Sequence, residues 1–123
     1  MKSGDPASGA AAIETDELFE MANLFPRTTG LPMTVWVGPR GRARHDVRVK
    51  VNMTHGDQMT IDNTAVVGVR PTPHLVAGGL SSEDQRLVFE GIRLNAAALV
   101  ACWDGSIDAL ELVQALKPLP TSP

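Results

Sequence analysis

A chain of 123 residues, 43% hydrophobic and only 4% aromatic, has the size of one domain with a core of Val, Leu, Ile, Ala and Met. Its one cysteine, Cys102, excludes an intramolecular disulfide, and no stretch approaches the roughly 20 apolar residues of a membrane helix. The net charge of −3 hides an asymmetry: residues 1–20 carry five acids against Lys2, whereas the remainder carries ten Lys/Arg and nine Asp/Glu, five of those bases between Arg40 and Lys50.

Residues 1–12 are small, rich in Gly, Ser, Ala and Pro and poor in large apolar groups, and cannot offset the entropy of ordering, so residues 1–20 are expected to be a disordered acidic tail. The domain is expected to span 21–120, opening at Met21. Lacking both an apolar leader and paired cysteines, the chain is expected to be cytoplasmic.

Asn23 to Pro32 reads as an irregular lead-in, broken by Pro26 and Gly30. Met33 to Val37 is β-branched and alternating, which suits a short strand, and Gly38-Pro39-Arg40-Gly41 is a turn signal. Ala43 to Val51 has the clearest period in the chain. Val47, Val49 and Val51 share one parity, while Arg44, Asp46, Arg48 and Lys50 share the other, the pattern of an antiparallel strand with one wet face. Met59 to Arg70 is again strand-like, interrupted near Asp62-Asn63, and Pro71-Thr72-Pro73 stops the sheet.

The period then becomes helical. Ser81 or Ser82 is an N-cap, and Val88, Ile92, Leu99 and Trp103 form one stripe flanked by Leu87, Ala96 and Val100. Asp104-Gly105 ends this helix, and Ser106 is expected to cap a second one running through Leu116. The pattern predicts an α+β fold: a small antiparallel sheet of about three strands, with two C-terminal helices packed on one face.

Familiar catalytic sets find no support. His45, His55 and His74 have no second histidine or cysteine at ligand spacing, so no metal and no cofactor is expected. Gly78-Gly79 precedes a helix without the lysine of a phosphate loop, and no nucleophile elbow occurs. Cys102, among Ala, Val and Trp, reads as an inert buried thiol. His55 and His74 read as polar loop residues. His45 shares the parity of Val47 and is expected at the inward end of its strand, as a rim histidine or as an acid/base beside Arg44 and Arg48.

The basic stretch is the candidate site. Arg40, Arg42, Arg44, His45, Arg48 and Lys50 could grip phosphates or an acidic protein, or could simply solvate the strand. Trp36 is the one exposed aromatic candidate close enough to stack on bases, which counts against a single-strand reader built on aromatic platforms.

Residues 43–51 and 87–119 resemble a family of short bacterial proteins that carry a domain of unknown function and occur in toxin–antitoxin-like gene pairs. The likeness rests on His45, Leu87-Val88-Phe89-Glu90, Leu99, Trp103 and Lys117-Pro118-Leu119. Val47 stands where the family has a second histidine, and Gly91 where its helix carries an aromatic. The resemblance implies a small binding or regulatory protein of such a pair or of a mobile element, acting on a protein partner or on RNA. Two alternatives stay open: a ribonuclease toxin using His45 with Arg44 and Arg48, and a phage- or plasmid-borne inhibitor such as an anti-CRISPR.

Overall fold

The computed structural model describes residues 22–41, 43–60 and 62–120. The acidic tail and Met21 lie outside the described residues. Five strands pair antiparallel in simple meander order: β1 (Ala22–Leu24), β2 (Val35–Val37), β3 (Arg48–Asn52), β4 (Thr64–Gly68) and β5 (His74–Ala77). One helical turn, α1 (Pro26–Thr29), follows β1, and α2 (Ser82–Trp103) and α3 (Ala109–Ala115) follow the sheet.

The α+β class matches the sequence pattern, but the sheet has five strands and not about three. β1 is only three residues long and falls inside the expected lead-in, too short to display a period. β5 is exposed at all four positions, so it has no alternation to read, and its register shifts between Val66 and Val67. β3 begins at Arg48 and not at Ala43, because residues 43–47 form the approach from the turn.

Alternation decides the two sides of the sheet. Val35, Val37, Val49, Val51, Ala65 and Val67 are buried, whereas Trp36, Arg48, Lys50 and Val66 are half-buried. The buried strand valines share one hydrophobic cluster with Val88, Ile92, Leu99 and Trp103 of α2 and Leu112 of α3. Ser81 caps α2, its Oγ accepting from the Asp84 N–H at 3.1 Å. Asp108, and not Ser106, caps α3: its carboxylate accepts from Glu111 N–H, and Glu111 reaches back to the Asp108 N–H.

Asn95 breaks the regularity of α2 with φ −115° and ψ 16°. Its buried amide donates to the carbonyls of Gly91 and Lys117 at 3.1 and 2.9 Å, and its Oδ1 accepts from Lys117 N–H at 2.8 Å. The C-terminal stretch is thereby fastened to α2. It also reaches α1, where Leu119 N–H donates to Thr29 O at 2.8 Å. Gly30, at φ 78°, makes that approach possible, because a Cβ there would collide with the Leu119 backbone.

Candidate functional site

The half-buried side of the sheet can be built up row by row from the register. One row crosses the sheet as Asn23, Trp36, Lys50, Val66 and Ala77. The neighbouring row places Arg48 opposite Gly68, and Gly68 opposite His74. Because Gly68 has no side chain, the His74 imidazole lies over its backbone; a Cβ at Gly68 would collide with the ring. His74 Nδ1 donates to Thr72 O at 2.8 Å.

Charge is sorted by element. The five strands contain Arg48, Lys50 and His74 but no carboxylate. Every described acid lies in a loop or in the segment from Glu83 to Glu111. This face therefore carries the cationic side chains of Arg48 and Lys50 beside an indole. At one end of the sheet the β3–β4 loop is fastened to the strands: Thr34 Oγ1 donates to Gly56 O at 2.8 Å, Asn52 Nδ2 donates to Thr54 O at 2.7 Å, and Thr34 and Asn52 are buried.

The residues singled out in the sequence divide into two groups. Arg48 and Lys50 lie on the face just described. Arg40, Arg44 and His45 are exposed beside the C-terminal end of α2, and Arg42 lies outside the described residues. Arg40 N–H donates to Trp103 O at 2.8 Å, satisfying one of the carbonyls that a helix end leaves unpaired. Arg40, Arg44 and Arg48 take part in none of the ion pairs found among the described residues.

His45 sits at the rim of the core, exposed but against a buried indole. Position 45 precedes the strand, and its exposed ring packs on Trp103 with centroids 5.3 Å apart, while Nδ1 donates to Asp46 O at 2.8 Å. Asp46 binds Arg70 through both carboxylate oxygens, at 2.8 to 3.1 Å. That guanidinium, assisted by the Val47 backbone, lowers the Asp46 pKa from 3.8 to about 2.

Sequence reasoning missed one polar pair completely. His55 Nε2 lies 2.9 and 3.0 Å from the two carboxylate oxygens of Asp84, which is 9% exposed in the first turn of α2. The pair spans 29 residues of sequence and ties the β3–β4 loop to the helix start. Its only sequence signal was a carboxylate three residues after Ser81; that acid turns to His55 where a capping box would turn it back to the cap. Among the described residues, no group of three or more His, Cys, Asp or Glu is arranged to hold a metal. No helix among them is long and apolar enough to cross a membrane.

Compared with family models, with curated proteins and with solved structures, the chain matches none.

Proposed function

We propose that this protein is a small, non-catalytic binding module that engages an anionic macromolecule, protein or RNA, through the half-buried face of its sheet. The observation that carries the reading is the charge sorting: Arg48 and Lys50 stand beside Trp36 on strands that contain no Asp or Glu. Arg40 and Arg44 are exposed as well, and Asp46, between Arg44 and Arg48 in sequence, is already paired with Arg70. A solvated strand face would also be charged, but it would mix both signs and would not set an aromatic in the same row as a cation.

The reading takes both C-terminal helices to cover the valine face, so that the opposite face is free to work. Its natural setting is a toxin–antitoxin-like pair or a mobile element, where small proteins act by contact. The test is retention on a heparin column, using the full chain and an Arg48→Glu/Lys50→Glu variant. Elution of the wild type at several hundred millimolar salt, with early elution of the variant, supports it. Equal retention of the two proteins would remove the face from the function.

A further inference from the structure

The same face carries a second flat ring that composition could not place there, and its position says which kind of anion fits. Trp36 stands on β2, and the His74 imidazole, reaching in from β5, lies over Gly68 of β4, two strand spacings of about 4.8 Å from β2 and in the adjacent row. Arg48 and Lys50, on β3, stand between them. The order across the sheet is therefore ring, two cations, ring.

An acidic peptide would use the cations and leave both rings idle. Single-stranded nucleic acid uses all four, since its bases stack on flat side chains while its phosphates meet the cations between them. With the His74 ring over β4, the two rings are about 10 Å apart across the strands, the reach of about two splayed nucleotides.

We propose that the partner is single-stranded nucleic acid, laid across β2 to β4 with one base on Trp36, another at His74 and the intervening phosphates on Arg48 and Lys50. This rests on the binding reading above, and narrows it to one chemical class. Val66, in the Trp36 row, gives the strand an apolar floor.

The experiment is fluorescence anisotropy with the full chain and a fluorescein-labelled 12-nucleotide oligouridine, titrated at several salt concentrations, with poly-L-glutamate as the second probe. Oligouridine is expected to bind, with affinity falling about tenfold in Trp36→Ala and largely restored in Trp36→Phe, which keeps a stacking surface if the indole also helps packing. The slope of log affinity against log salt should shrink by about 1.4 in Arg48→Ala/Lys50→Ala, about 0.7 for each lost phosphate contact on a single strand. If poly-L-glutamate binds in an Arg48/Lys50-dependent way while oligouridine does not, or if oligouridine binds indifferently to Trp36→Ala, the nucleic-acid assignment is overturned and the binding reading stands. If neither probe binds at low salt, both fall together.

Discussion

Gly91 sits in the middle of α2, where glycine is the costliest residue apart from proline, and the structure gives it no reason to be there. A Cβ at this position would meet the two methyls of Leu31 at 3.7 and 3.8 Å and one methyl of Leu119 at 3.9 Å, all ordinary contact distances. The Gly91 carbonyl, which accepts from Asn95 Nδ2, would be undisturbed. Gly91→Ala should therefore recover about 1 kcal/mol of helix propensity, with a few tenths more from the new apolar contacts. In a domain of this size that corresponds to a rise in Tm of roughly 4–8 °C. Urea unfolding followed by the combined fluorescence of half-buried Trp36 and buried Trp103 reads the change directly, with the m-value expected to stay constant. An unchanged or lowered midpoint would refute the reasoning, because it would mean that α2 approaches Leu31 and Leu119 more closely than these distances state.

Gly30→Ala should do the opposite. It forces a side chain into φ 78° and onto the Leu119 backbone, and the same unfolding assay should show a loss of at least about 1 kcal/mol. Asp46 should remain ionised until about pH 2, so whatever stability its pairing with Arg70 supplies is fully present above its ordinary value of 3.8 and is lost only as pH falls through about 2. Carboxyl carbon NMR should follow that titration, and Arg70→Ala should return the midpoint toward 3.8; a wild-type midpoint already near 3.8 would contradict the pairing. Cys102 is buried, which pushes its thiol pKa up, so it should react with a disulfide reagent at pH 8 only slowly until urea exposes it.

What the sequence made legible was the part ruled by long periods. The valine alternation through Val47, Val49 and Val51 marked the buried side of β3, and the stripe Val88, Ile92, Leu99 and Trp103 marked the buried side of α2. Twenty-two residues of helix offer many turns over which a period can show itself. The three residues of β1 and the four of β5 offer none, and β5 is exposed throughout, so the sheet looked narrower than it is. Asp108 outranked Ser106 as a cap because Glu111 lies three residues on, a signal present in the sequence but outweighed there by the Asp104-Gly105 stop.

The candidate site was half legible for the same reason. Arg48 and Lys50 declared their side by parity, whereas His45, three positions before the first residue of β3, showed nothing of its contact with Trp103, 58 residues further along the chain. His74 joins Arg48 only through Gly68 on an intervening strand, and His55 meets Asp84 only because the β3–β4 loop folds back on α2. Neither pairing has a local pattern. Both are products of register and chain reversal, which a single sequence does not display.

The account stands on one surface, and mapping that surface is its most direct test. Amide spectra of the isotope-labelled full chain, recorded while oligouridine is added, should shift around Trp36, Arg48, Lys50, Val66 and His74, with weaker changes near Arg40 and Arg44. Shifts confined instead to the His55–Asp84 loop or to α3 would contradict it.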